Sequence, residues 1–265
     1  MNQNTDLVAI YDCEYRQKAD WTRMDRENFA NLVRYTAHEK KRGAFISWFD
    51  LDESNADAEI EKQMAHYRAL GIDLEWKVCA HDGPADMGQR LLRHGFTLTN
   101  DDSVMLLDLA QVADSFWAQS TNCVSRISTA AGIDDIMQME KEIWHKDFTQ
   151  LGEGMKMDLR DQPDHISLFA VYADGRCVSA AWTHYLSPTL FGILLGGSTL
   201  PAYRGRGFYT ALIAARGLEA RTRGFRYLTL DASAMSRPIL EKHGFSCIDT
   251  SQEYEIKFFQ KETQG

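Results

Sequence analysis

The chain has 265 residues, 44% of them hydrophobic and 25% charged, with a net charge of −9. That length fits one large domain or two small ones with a sizeable core, and the acidic balance argues against the broad basic face that nucleic acid or anionic lipid requires. Cys13, Cys79, Cys123, Cys177 and Cys247 stand singly without a CxxC pair, the pattern of reduced thiols in a cytoplasm and not of a disulfide framework or zinc site.

The start, "MNQNTDLVAIYDCEYRQ", has neither a basic opening nor a long apolar stretch, so no signal peptide is visible. No run nears the ~20 apolar residues of a membrane span. A cytoplasmic location is expected. In chain order, the first clear element is a helical pattern over Ala56 to Leu70. "GIDLEWKVCAHDGPADMGQRLLRHGF", from Gly71 to Phe96, then reads as a glycine ending that helix, a short strand, a turn, and a helix closed by His-Gly-Phe. "SVMLLDL" at Ser103 to Leu109 predicts a strand.

Beyond Asn122, "CVSRIST" alternates as a strand, and Ile133 to Trp144 has apolar residues at helical spacing. His145 to His165 is weakly patterned, with two glycines and many polar residues, and suggests a loop or short helix over a pocket. "ISLFAVYADGRCVSAAWTHYL" predicts two strands around an Asp174-Gly175 hairpin. "LFGILLGGSTL" is another strand, and a helical pattern runs from Phe208 to Arg223. "GFRYLTLDASAMSRPILEKHGF", from Gly224 to Phe245, then repeats the order seen at Gly71 to Phe96, and the strand candidate "EYEIKFF" follows at Glu253 to Phe259. The repeat predicts two related units joined near Ala113 to Asn122, residues 1–118 and 119–265, each an α/β mixed sheet with helices packed on it.

Between the strand ending near Leu200 and the helix starting near Phe208 lies "YRGRGFYTAL". A helix start has unpaired N–H groups and the positive end of the helix dipole, and glycines let that backbone approach a ligand closely. The expected guest is a phosphate or pyrophosphate. Six arginines (204, 206, 216, 221, 223 and 226) face Glu219 alone between Pro201 and Arg226, which suits a polyanionic small molecule in an otherwise acidic chain. No Gly-Lys-Ser or Gly-Lys-Thr follows, so this is not the nucleotide P-loop, and Thr210 stands where the dinucleotide fingerprint needs a small residue.

The order Arg204-x-x-Gly207-x-Tyr209 resembles the R/Q-x-x-G-x-G/A loop of the GNAT superfamily, the Gcn5-related N-acetyltransferases. The likeness extends from Val124 to Phe259, with strands and helices in the family's order. It implies the GNAT acyltransferase fold, in tandem with an incomplete N-terminal unit. It also implies a coenzyme A site at Thr199, Leu200, Arg204, Gly205, Arg206, Gly207, Phe208, Tyr209, Thr210 and Ser233. The implied reaction is acetyl transfer from acetyl-CoA to a primary amine of a small molecule or peptide, by direct attack on the thioester and without a metal. A fourth-strand amide, at Thr199 or Leu200, would hold the tetrahedral oxygen. The sequence departs from the family where Leu240 replaces the usual tyrosine acid, Ser233 replaces a frequent asparagine, and Tyr209 fills the small-residue slot of the loop.

The candidates for proton transfer are Asp231, at the end of the fifth strand, and His184 on the third, with Tyr185 on the opposite face. Glu140 and Glu142 lie on the helix whose following loop, by the resemblance, lines the acceptor pocket, and a solvated helix face is the blander reading. Trp144, Phe148 and Trp182 are core residues or pocket lining, and Cys177 reads as a small core residue. In the first unit "FDLDESNADAEI" replaces the glycine loop, and carboxylates there would repel a pyrophosphate by about several tenths of a kcal/mol each. That unit is expected to bind no coenzyme A and to complete the sheet packing, shape the acceptor pocket or mediate a homodimer contact. The alternatives to an enzyme are a non-catalytic acyl-CoA sensor, which the missing tyrosine favours, and an interaction scaffold. The expected partner is an amine or peptide acceptor, with neither nucleic acid nor membrane.

Overall fold

The computed structural model describes residues 3–112 and 121–258. The chain forms two compact units. The first takes Met1–Met105, Asp231–Lys242 and Ser246–Gly265; the second takes Leu106–Leu230 and His243–Phe245. The expected boundary at 118/119 lies outside the described residues. No described helix is long and apolar enough to cross a membrane.

In the first unit, α1 (Gln3–Ile10) and a π turn (Tyr11–Arg16) precede three strands, β1 (Met24–Phe29), β2 (Leu32–Ala37) and β3 (Ala44–Phe49). None of the three was assigned from the sequence. β1 is polar and exposed while most of β2 is buried, so neither gives a clear two-residue alternation. α2 (Ala56–Leu70) ends as expected at Gly71, whose φ of +65° terminates the helix in the left-handed conformation. Then follow β4 (Leu74–Cys79), α3 (Met87–Arg93) and β5 (Thr97–Asp108), which passes from the first unit into the second after Met105. β3 and β4 run parallel, joined through α2, and the strand order in this unit is β1-β2-β3-β4-β11-β5, where β11 is the last strand of the chain (Ser246–Ile256). Ile46, Ile60, Leu74, Trp76 and Leu91 fill its core.

β5 and β11 start right after their His-Gly-Phe closures, several residues earlier than their apolar patterns suggest. The added residues at Thr97–Asp101 are exposed and carry no hydrophobic signal. Their pairing comes from hydrogen bonds instead, with Thr97 Oγ1 donating to Glu255 O at 3.2 Å and Thr99 Oγ1 to Glu253 O at 3.0 Å.

The same unit contains a charged network. His81 binds Asp12 through Nε2 (2.7 Å) and Asp249 through Nδ1 (2.5 Å). Arg16 makes a two-pronged bond to Asp82 at 2.8 and 2.7 Å and another to Asp12 at 2.9 Å. Cys79, His81 and Asp249 place ligand-type atoms within 4.8 Å of one another, but both nitrogens of His81 are bound to carboxylates and Arg16 Nη1 stands 3.5 Å away.

In the second unit β6 (Val124–Ile127) is followed by α4 (Ala130–Trp144), whose start is capped by Thr129 Oγ1 accepting from Gly132 N at 3.2 Å. The weakly patterned segment contains a full helix, α5 (Thr149–Asp161), which buries Gly152, Met155 and Asp158. β7 (Ile166–Ala173) and β8 (Arg176–Tyr185) form the expected hairpin, with Asp174 at φ +52° and Gly175 at +76°. β9 (Phe191–Thr199), α6 (Phe208–Thr222) and β10 (Tyr227–Ala232) form a parallel crossover, and α7 (Arg237–Lys242) leads into β11. The strand order in the second unit is β10-β9-β8-β7-β6.

Candidate functional site

β9 is irregular where it approaches the glycine–arginine loop. Its register against β8 slips between Ala180 and Ala181, and Gly196 and Gly197 take φ of +69° and +78°. This is a bulge, which glycines accept without Cβ strain. Each glycine lies under an aromatic ring. A Cβ on Gly196 would lie 2.3 Å from the Trp182 ring, and one on Gly197 would lie 3.0 Å from the ring of Tyr209. The departure from the small-residue slot at Tyr209 thus has a packing reason, because its ring covers a bulge glycine.

After Thr199 the chain makes a short 3-10 turn (Pro201–Tyr203) and then the exposed loop Arg204–Gly207. Gly205 and Gly207 have φ of +75° and +80°, and a Cβ on either would meet nothing within 4 Å. Backbone conformation alone calls for glycine there. Gly207 precedes α6 with no side-chain cap, and Ala211 N donates to Gly207 O at 2.9 Å. The N–H groups of Phe208, Tyr209 and Thr210 come before that first bond and are open to an anion. Arg204 Nε reaches Thr199 O at 3.2 Å, and Arg206 Nη2 reaches Ala202 O at 3.2 Å with its guanidinium over the Tyr203 ring. Thr210 Oγ1 lies 3.0 Å from His243 Nε2.

The arginine cluster is thinner than its count suggests. Arg223 pairs with Glu219 and Arg226 with Asp108. Arg216 is only 2% exposed and donates to the carbonyls of Leu212 (3.2 Å), Trp182 and Leu195 (both 3.4 Å). Burial pulls its pKa down to about 10 against the partial support of Tyr209 and Tyr185. Leu218 of α6 is exposed. Arg204 and Arg206 are the exposed cations of the loop itself.

The remaining sequence candidates are distributed over both units. Leu200 N donates to Val178 O at 2.9 Å, so that amide is already engaged; Thr199 pairs with Ser179 in the β8–β9 register. His184 is the penultimate residue of β8, paired with Ile166 on β7 and Ile193 on β9. Asp231 and Ser233 belong to the first unit. There Asp231 Oδ2 accepts from Lys77 Nζ and Oδ1 from Ser251 Oγ at 3.1 Å, while Ser233 O accepts from the amides of Ser236 and Arg237 as α7 begins. Leu240, in the place of the family's tyrosine, is fully buried. At the start of α2, Asp57 is bound by Arg90 and by His94 Nε2 at 3.0 Å.

One buried acid was undervalued from sequence. Glu142 is exposed and pairs with Arg176, but Glu140 is 2% exposed. Its Oε2 accepts from Trp144 Nε1 at 2.8 Å and from Ser198 Oγ at 3.0 Å, and Oε1 has no partner among the described residues. Burial raises its pKa against the lowering effect of Ser198 and Trp144. A buried oxygen left bare costs about 1–3 kcal/mol, which marks the position as more than a helix face. The helical spacing of Ile133, Ile136, Met137 and Glu140 puts all four on one side of α4, a signal the residue's charge obscured.

No family model matches the sequence, and neither does any curated protein. Among solved structures, a GCN5-related N-acetyltransferase from Kribbella flavida aligns with a TM-score of 0.67 at 13% identity, over 96% of each chain. The chain has the GNAT fold. A GCN5-related N-acetyltransferase from Sphaerobacter thermophilus aligns at 0.57 and 13% identity, over 96% of this chain and 85% of its own. A tandem GNAT protein from the clavulanic acid biosynthesis pathway aligns at 0.56 and 11% identity, over 92% and 86%. The GNAT likeness therefore extends over nearly the whole chain, including the N-terminal unit in which the glycine loop is replaced by carboxylates.

Proposed function

We propose that this protein is an acetyl-CoA-dependent N-acetyltransferase that acts on a primary amine of a small molecule or peptide. The observation that supports this most is the uncapped start of α6, where three free amides, two left-handed glycines and the exposed Arg204 and Arg206 follow directly on the bulged end of β9. In this reading Thr199, Leu200 and Arg204 to Thr210 contact coenzyme A, with the pyrophosphate on the loop amides. The C-terminal domain, residues 119–265, carries the chemistry, and residues 1–118 form a companion domain whose acidic α2 start takes no coenzyme. The enzyme works in the cytoplasm without a metal.

The coenzyme supplies the activated acyl group; the chain supplies orientation and proton handling. Asp231 and His184 were the sequence candidates for the latter. Both oxygens of Asp231 are bonded within the first unit, to Lys77 and Ser251. A second reading, a non-catalytic acyl-CoA sensor, is favoured by the burial of Leu240 at the usual acid's position.

The test is thermal unfolding with acetyl-CoA, ATP or NADH, on wild type and on Arg204→Glu/Gly207→Asp. A ligand at 100 times its Kd stabilises by about 2.7 kcal/mol. A shift with acetyl-CoA alone, lost in the variant, is the expected result, and release of free thiol with an amine panel then separates enzyme from sensor. No shift at millimolar acetyl-CoA removes both readings.

A further inference from the structure

We propose that Glu140 is the proton acceptor for the amine nucleophile, an inference that rests on the acetyl-transfer reading above. Glu140 meets β9 at Ser198, the residue after the Gly196–Gly197 bulge and the one before Thr199. It thus touches the strand just where it leads into the loop assigned to the coenzyme. Trp144, the last residue of α4, is 55% exposed while its indole N–H reaches Glu140 Oε2. One side chain therefore extends from solvent to the buried carboxyl, and an indole face is the aromatic surface that best receives a cation.

The bare Oε1 is the decisive feature. A side chain that only tied α4 to β9 could be glutamine, whose amide oxygen accepts the same two hydrogen bonds without a charge to bury. As a carboxylate, Oε1 needs a donor; as an acid protonated there, it needs an acceptor. A primary amine meets both needs in turn. The ammonium donates to the carboxylate, and after transfer the carboxyl O–H donates to the nitrogen lone pair. The raised pKa of Glu140 points the same way, towards a base that works nearer neutrality than an ordinary carboxylate. The titratable group on a neighbouring strand that senses its charge is Cys177, a thiol that burial pushes up to about 12 and so keeps neutral.

The step balances as follows. The substrate ammonium passes one proton to Oε1, and its lone pair attacks the thioester carbonyl carbon. The new N–C bond forms as the C–S bond breaks, the bonding pair leaving on the coenzyme sulfur. The nitrogen's excess proton passes to that thiolate, and Glu140 returns its own proton to solvent. No carboxylate-bound acyl group is formed, and the tyrosine absent at Leu240 is not required.

Glu140→Gln is the informative variant, assayed with acetyl-CoA and n-butylamine, benzylamine, putrescine and spermidine by thiol release. The expected result is an unchanged acetyl-CoA thermal shift and acetyl-CoA KM, with kcat/KM for the amine reduced about 100-fold or more. The acidic limb of its pH profile should move to the amine's own ionisation, a change that a merely structural residue would not cause. Retention of the amine kcat/KM within about threefold, with the limb in place, overturns the assignment while leaving the acetyl-CoA reading intact. Where wild type binds acetyl-CoA but turns over none of the four amines, the carboxyl band lost in Glu140→Gln is followed by infrared difference spectroscopy with coenzyme A bound. Perturbation of that band by an amine supports the proposal, and indifference to all four overturns it. Absence of any acetyl-CoA shift in wild type removes the parent reading and this one together.

Discussion

The ring of Trp182 occupies the space that a side chain at Gly196 would need, with Cζ3 2.3 Å from where the Cβ would lie. Gly196 also holds a φ of +69°, so any other residue meets both the ring and backbone strain. Gly196→Ala should destabilise the protein by about 2–4 kcal/mol, from overpacking together with the left-handed backbone. Urea unfolding followed by tryptophan fluorescence measures it, and a loss below about 1 kcal/mol would mean the ring moves aside freely.

Gly205 and Gly207 share the positive φ but have open space around them. Gly205→Ala and Gly207→Ala should therefore each cost only about 1–2 kcal/mol, the backbone part alone. The comparison with Gly196→Ala isolates the contribution of the Trp182 contact. Equal losses at all three positions would refute the packing explanation of the bulge.

The first unit should lose stability as pH rises, in two separate windows. Burial, then repulsion from Glu253, lifts Glu75 from 4.5 to about 7. A raised carboxyl pKa means the folded state binds the proton more tightly, so this contribution is complete below pH 4.5 and gone above about 7. Hydrogen bonds that its ring donates to Asp12 and then Asp249 lift His81 from 6.5 to about 10, so its contribution is complete below 6.5 and lost through about 10. Melting temperatures across pH 4 to 10 should fall in both windows; Glu75→Gln should flatten the lower and His81→Gln the upper. A wild-type melting temperature that rises with pH across either window would contradict the assigned directions.

Cysteine reactivity should follow burial. Cys79 and Cys177 are buried, and that burial pushes both thiols up to about 12, while Cys13 and Cys123 are exposed. Ellman's reagent on native protein should modify Cys13 and Cys123 first and the half-buried Cys247 more slowly. Cys79 and Cys177 should react only after denaturation. Fast native labelling of Cys177 would contradict its burial.

The legible parts of the fold were those with strong local signals. Gly71 ends α2 and Asp174-Gly175 turns the β7–β8 hairpin because few residues other than glycine, asparagine and aspartate accept a positive φ. The internal repeat was visible because its two copies carry the same order of glycine, strand, helix and His-Gly-Phe in their letters. β1, β2 and the polar start of β5 were not visible, since their burial shows no clean period or their pairing depends on strands distant in sequence. The helix at Thr149–Asp161 was not visible because its buried face, Gly152, Met155 and Asp158, carries a glycine and an acid in place of apolar side chains. In the site, the loop was read from its glycines, but the fate of its neighbouring charges was not. Arg216 and Glu140 look like surface residues in a string of letters, and both are buried.

By itself, the sequence determined the local backbone: where helices stop, where hairpins turn, and that the segment from Arg204 to Thr210 opens a helix with free amides. These follow from short-range sterics and hydrogen bonding within a few residues, which neighbouring letters specify. Only the tertiary structure decided which charges keep water and which lose it. It placed Arg216 against the carbonyls of Trp182 and Leu195, bound Asp231 to Lys77, and left one oxygen of Glu140 without a partner among the described residues. Desolvation and pairing depend on groups brought together from remote positions, and those fix the chemistry that each charged side chain can perform.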